Sequence, residues 1–120
     1  MKPTLSTIQE QLETFAKERD WDQYHSPKNI AMALSVEAAE LLEIFQWKTE
    51  AESAALNEKD REAARQEIAD VLLYLLTISR VLNIDILQAA TDKLHLNAKK
   101  YPLEKSRGNA LKYDQFDEKT

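Results

Sequence analysis

The sequence predicts an all-α fold, a four-helix bundle-like protomer. Three observations predict it. Only one Gly and three Pro occur in 120 residues, too few turn formers for a many-stranded sheet. Apolar residues recur at helical spacing in four segments. Helix-start residues stand in front of several of those segments. The length suits one domain with a modest core.

The first helix is expected from Leu5 to Arg19, where Leu5, Ile8, Leu12 and Phe15 lie along one stripe. A link, DWDQYHSPKN, follows. Within it Ser26 suits a cap and Pro27 the first helical position, so the second helix runs from Pro27 to about Lys48. TEAESAALNEKD is polar and reads as a connection. Asn57 or Asp60 then caps a third helix from Arg61 to Leu82, and Asn83 breaks its pattern. Asp85 with Gln88 forms an Asp-x-x-Gln box that opens a fourth helix ending before Pro102. Residues 1–105 are expected to form the domain. Residues 106–120 form a polar tail that holds the single Gly and is either loosely ordered or a flap.

Composition narrows the function. Hydrophobic residues make up 43% and charged residues 31%, as in soluble globular proteins. A net charge of −5 disfavours a polymeric nucleic acid as partner, since backbone binding needs clustered excess Lys and Arg. A single nucleotide held through a metal stays compatible. Without cysteine there is no disulfide framework and no thiolate metal site. MKPTLSTIQEQLETF lacks the pattern of a signal peptide, and no apolar run approaches the roughly 20 residues of a membrane span. A cytoplasmic protein with no membrane partner is the expectation.

The second helix carries the unusual feature. SVEAAELLEIFQW places Glu37, Glu40 and Glu43 at i, i+3 and i+6 among apolar residues. At about 100° per residue, Ile30, Ala33, Leu34, Leu41 and Ile44 fall within about 60° of Glu37. Glu37 is thus central on an apolar face. EIADVLLYLL repeats the arrangement: Glu67 and Asp70 are three apart, and Val71, Tyr74 and Ile78 share the face of Glu67. One acid-x-x-acid pair alone reads as an ordinary solvated face, because Glu is a good helix former. Two pairs, each centred on its helix's apolar stripe, do not.

An unpaired carboxylate in a dry core costs several kcal/mol, and converging acids also repel one another. A domain stable by about 5–15 kcal/mol does not carry four such groups uncompensated. Either a cation neutralises the cluster or the faces are solvated. All-carboxylate ligands select Mg²⁺, with Mn²⁺ as substitute, over Zn²⁺ or Cu²⁺. A di-iron bundle needs two Glu-x-x-His motifs, and the chain offers only Asp92-Lys93-Leu94-His95. Mg²⁺ commonly shares its shell with substrate phosphates, which points to phosphoanhydride chemistry.

The fourth helix aligns Lys93, Asn97, Lys100 and Tyr101 along one side, as donors for phosphate oxygens. Taken alone, that set reads equally as an amphipathic surface. Trp21, Tyr24 and His25 precede the second helix and Trp47 closes it. These rings can stack on a planar base, or simply pack in a core or an interface. By itself His25 is an ordinary polar loop residue.

ERDWDQYHSPKN, SVEAAELLEIFQWK, EIADVLLYLL and KLHLNAKKYP together resemble the MazG-like nucleotide pyrophosphohydrolases, over about residues 5–105. Within that family the chain is most similar to the small dCTP pyrophosphatase type. The resemblance implies an all-α fold and Mg²⁺-dependent hydrolysis of a nucleoside triphosphate, dCTP or a related or modified dNTP, to monophosphate and pyrophosphate. It implies Glu37, Glu40, Glu67 and Asp70 as metal ligands, and Lys93, Asn97 and Tyr101 as phosphate contacts. Trp21, Trp47 and Tyr74 lie by the base and sugar in the same comparison. A homodimer or dimer of dimers is implied too, in keeping with the apolar AMALSVEAAELLEIF. One departure concerns the base: a polar first-helix residue of the animal enzymes is replaced here by Leu12.

The expected reaction is attack of water on the α-phosphorus. Glu40 or Glu43 orients the water, and Lys93 and Asn97 hold the leaving pyrophosphate. The rival expectations are a non-catalytic helical oligomerisation module and a nucleotide sensor without turnover.

Overall fold

The structure, a computed structural model, describes residues 2–115. Helices and turns account for all its regular structure, and no strand occurs among the described residues. The helices are α1 (Leu5–Glu18), α2 (Pro27–Phe45), α3 (Glu50–Ala54), α4 (Glu58–Val81), α5 (Ile86–Lys100) and α6 (Leu103–Ser106). Short 3-10 turns cover Asp22–Tyr24 and Tyr113–Gln115. The four long helices are those expected from the apolar periodicity. The chain divides into two compact units, Met1–Ile84 and Asp85–Thr120.

The helix starts are written in side-chain oxygens. Ser26 accepts a hydrogen bond from the Asn29 amide, with Pro27 at the first helical position of α2. Asn57, not Asp60, caps α4 and accepts from the Asp60 amide at 2.8 Å. Helix α4 therefore begins a turn earlier than expected. Asp85 caps α5, but its box is half made, because the Gln88 side chain donates to Asp92 instead of returning to the cap. The expected connection after α2 is itself partly helical. Thr49 and Glu52 close a reciprocal capping box at 3.1 and 2.9 Å and wind α3. Helix α2 stops at Phe45, short of Lys48. Lys48 then reaches Asp60 in the first turn of α4 at 2.8 Å, tying both ends of the connection. Helix α6, Leu103–Ser106, spans the expected boundary between domain and tail; within the tail Tyr113–Gln115 form a 3-10 turn, and 116–120 lie outside the described residues.

Two helices of the first unit end in the same way without glycine. After α1, the Trp21 amide bonds to the Ala16 carbonyl and the Asp20 amide to Lys17, with Asp20 at φ 54°. After α4, the Ile84 amide bonds to Ser79 and the Asn83 amide to Arg80, with Asn83 at φ 55°. Both are Schellman ends, and Asn and Asp are the non-glycine residues that best tolerate the left-handed region. The first of these turns directs the chain into the link that carries Trp21 and His25.

The first unit is built on α4, against which α2 packs along its length and α1 packs more lightly. Among the described residues the buried apolar ones are few: Ala16 of α1, Ile30 of α2, and Ala64 and Leu76 of α4. Thr77 and Ser79 are buried too, but each hydroxyl donates to its own helix, to the carbonyls of Leu73 and Leu75. No helix of the described residues is long and apolar enough to cross a membrane.

Asn83 offers a direct check on the α4 end. Asn83→Ala is expected to cost about 1 kcal/mol, and Asn83→Gly to be neutral or slightly stabilising. Urea denaturation of the three proteins reads the difference, and an alanine variant as stable as the parent contradicts the assignment.

Candidate functional site

The acids converge because α2 and α4 pack through the faces that carry them. Ile30, Ala33, Leu34, Leu41 and Ile44 of α2 are all buried or half-buried, as are Val71, Tyr74 and Ile78 of α4. Glu37 and Glu67 sit among those residues, so burying the apolar stripes draws their carboxylates inward. One oxygen each of Glu37, Glu67 and Asp70 lies within 4.8 Å of the others. All three residues are half-buried.

Two of the oxygens have no donor. Glu37 Oε2 and Glu67 Oε2 are buried and lack a hydrogen-bond partner in the protein. Both are acceptors, so neither can satisfy the other unless a proton or a cation lies between them. The electrostatics express the same conflict. The Glu37 carboxyl is pushed up to about 7, first by its hydrogen-bonding contact with Glu67, then by burial, then by Glu40 and Asp70. A divalent ion resolves the conflict in the other direction. Oxygens that share one Mg²⁺ at about 2.1 Å stand at most about 4.2 Å apart, so this trio needs only slight closure. The donor set, all hard oxygen, fits such an ion.

Glu40 and Glu43 stand beside the trio. With Ile44, Ala63 and Glu67 they line an open groove of about 390 Å³. Glu40 is half-buried and close enough to raise the Glu37 pKa, whereas Glu43 is exposed. Glu67 therefore belongs both to the trio and to the groove.

A second cavity, of about 280 Å³, reaches Asp70. Leu12, Phe15 and Ala16 of α1, Trp21 and His25 of the link, and Asp70, Leu73, Tyr74 and Thr77 of α4 line it. Three of the residues proposed from sequence for the base and sugar, Trp21, His25 and Tyr74, thus share one wall system. Leu12 is in it, at the place where a polar group was expected in relatives. Asp70 joins the cavity to the acid trio. The link is fastened to α4 by Arg80, whose guanidinium reaches Asp22 at 3.4 Å; Asp22 in turn lies 3.9 Å from His25 Nδ1. That nitrogen is buried without a hydrogen-bond partner.

The remaining sequence-derived residues fall elsewhere. Trp47 is 88% exposed and lines neither cavity. Lys93, Asn97 and Lys100 lie on α5 and Tyr101 caps its end, all in the second unit. Asn97 and Tyr101 are half-buried there, and the two lysines are exposed. Phe15, Leu73 and Thr77 were not singled out from sequence. Phe15 was visible only as part of the apolar stripe of α1, and Leu73 and Thr77 carried no signal in the sequence.

The raised Glu37 pKa has a definite pH signature in metal-free protein. The folded state holds an extra proton between the ordinary carboxylate range, near 4.5, and about 7. Stability therefore falls as pH rises through that window and levels off above it. The expected loss is about 2 kcal/mol after allowing for partial exposure. Glu37→Gln should flatten the profile, read by denaturation in EDTA at pH 5 and pH 8.

The MazG-like family pattern matches residues 32–116. The dCTP pyrophosphatase 1 of Rattus norvegicus is 42% identical, over 93% of this chain and 67% of its own length. That of Homo sapiens is 37% identical, over 96% of this chain and 69% of its own. Among solved structures, a pyrophosphatase from Archaeoglobus fulgidus superposes with a TM-score of 0.79 at 39% identity, over 85% of this chain and 95% of that one. By fold, by the stretch matched and by these relatives, the chain belongs to the MazG-like family.

Proposed function

We propose that the chain hydrolyses a deoxynucleoside triphosphate, dCTP or a related or modified dNTP, to the monophosphate and pyrophosphate with Mg²⁺ as cofactor. The activity belongs to residues 1–105 acting in the cytoplasm, and Mn²⁺ is expected to substitute for Mg²⁺. One observation carries the reading: Asp70 belongs at once to a trio of carboxylates with two donorless buried oxygens and to an aromatic-walled cavity. A ligand with a flat ring at one end and phosphates near the other matches that pairing. The names of the relatives point the same way.

Glu37, Glu67 and Asp70, with Glu40 beside them, would hold the ion. A bound Mg²⁺ supplies charge neutralisation at the phosphate oxygens and lowers the pKa of water. The protein's part is positional. Trp21, Tyr74 and the apolar wall hold the base and exclude water from that end. Glu40, which lines the groove, would accept a proton from the attacking water, with Glu43 as the more exposed alternative. Lys93, Asn97, Lys100 and Tyr101 supply donors for the leaving pyrophosphate.

We further propose a homodimer or dimer of dimers. Ile68 and Leu75 of α4 and Leu82 at its C-cap are 58%, 37% and 49% exposed, and with half-buried Leu72 they follow the 3.5-residue repeat of a helix–helix seam. Trp47, so exposed in one chain, would reach a base only from a second copy.

Pyrophosphate release from a panel of dNTPs in Mg²⁺ tests the activity. Glu40→Gln and Asp70→Asn should each lower the rate by about 100-fold or more; full activity in both removes the site assignment. Millimolar Mg²⁺ should raise the melting temperature of the parent relative to EDTA, by the equivalent of about 2–3 kcal/mol at saturation, and not that of Asp70→Asn. Light scattering of Leu75→Glu combined with Leu82→Glu should give the mass of a single chain.

A further inference from the structure

Two of the cavity's aromatic walls are themselves unsupported by a core. Phe15 is 41% exposed and Trp21 45% exposed, although both line the 280 Å³ cavity. Half-solvated rings on a helix end and a link would ordinarily sample several rotamers. Here they meet edge to face, with centroids 5.5 Å apart and planes at 72°. What holds the pair is on the outer side. The Arg19 guanidinium lies 3.6 Å from the centre of the Phe15 ring. Its Nη1 also donates to the Phe15 carbonyl at 3.1 Å. Glu10 and Glu18 line the same outer groove, yet among the described residues Arg19 forms no ion pair with either. The cation is directed to the ring face.

We propose that Arg19 is a positioning residue for base binding: it clamps Phe15, and through Phe15 sets Trp21 against the cavity. The inference rests on the reading of that cavity as the base pocket and adds to it the device that preorganises its wall. The local chain supports it. Arg19 is the last residue before left-handed Asp20, and the Trp21 amide is tied back to Ala16 at 2.9 Å. The backbone of Trp21 is therefore fixed by the helix end, and only its ring and that of Phe15 need a lateral support. A planar, delocalised cation can stack and donate to the carbonyl together; an ammonium on a flexible stem cannot hold both contacts in that geometry.

Without the clamp, the rings must be ordered when the ligand arrives, so the loss should appear in binding and not in the chemical step. Arg19→Met retains an unbranched apolar stem and removes the cation and the donor. With Trp47 intact, it should raise KM for the best-hydrolysed dNTP about three- to tenfold, with kcat within twofold. Arg19→Lys should fall between Met and the parent. Read in a Trp47→Phe background, where Trp21 is the only tryptophan, acrylamide quenching of Trp21 should increase in Arg19→Met at unchanged helical circular dichroism. Unchanged quenching, or a fall in kcat equal to the rise in KM, overturns the proposal. If Arg19→Met fails to fold, the same two readouts on Arg19→Lys decide it. If the parent releases no pyrophosphate from any dNTP, the proposed function fails, while the quenching arm still decides whether Arg19 positions the ring.

Discussion

Two carboxylate oxygens, one from α2 and one from α4, face each other without a donor between them. The rest of the first unit is arranged around that conflict. The helices cannot separate the acids without exposing Ile30 and Leu76, the largest side chains in the core. They cannot bury them more deeply without a steeper penalty on the charged forms. A shared proton is the least demanding compensation, and the Glu37 pKa near 7 shows how strongly the site asks for one. A hard divalent cation held by Glu37, Glu67 and Asp70 would answer the same demand. The fold thus stores an affinity for positive charge in the packing of its two central helices.

That charge demand sits against an unusually thin core. Among the described residues only Ala16, Ile30, Ala64 and Leu76 are buried apolar ones, while large side chains such as Ile68, Leu75 and Leu82 stay exposed in the single chain. Part of the stability of the first unit has to come from helix ends and ties: the caps at Thr4, Ser26 and Asn57, the two left-handed turns and the Lys48–Asp60 bridge. The surplus of apolar surface is what a second copy would cover.

The link between α1 and α2 adds an indole and an imidazole to a largely apolar wall. Its path is set by the helix end at Asp20 and by Arg80 gripping Asp22. Its two cavity-lining side chains, Trp21 and His25, come at one aperture from α1's end and from α2's start. Under the proposed reading, a wall with Leu12 in it would recognise a ring by shape and stacking, and polar discrimination would fall to His25 and Asp70.

Much of this was legible in the linear chain. Periodicity of Leu, Ile and Val placed α1, α2, α4 and α5, because a helix must show one apolar face to its neighbours, and that constraint is local in sequence. Thr49 and Glu52 also spelled out α3, although polarity concealed it. The spacing of Glu37 with Glu40, and of Glu67 with Asp70, announced acids on buried faces, since a wheel needs no knowledge of partners. Which acids meet was a different matter. That Glu37, Glu67 and Asp70 form the tight trio while Glu40 and Glu43 border a groove depends on the rotation and offset of α2 against α4, quantities set by side-chain interdigitation. The same holds for Arg19 over Phe15 and for Asp70 joining the trio to the cavity. Residue types and spacing determine which faces must be covered; only packing in three dimensions decides what each covered face touches.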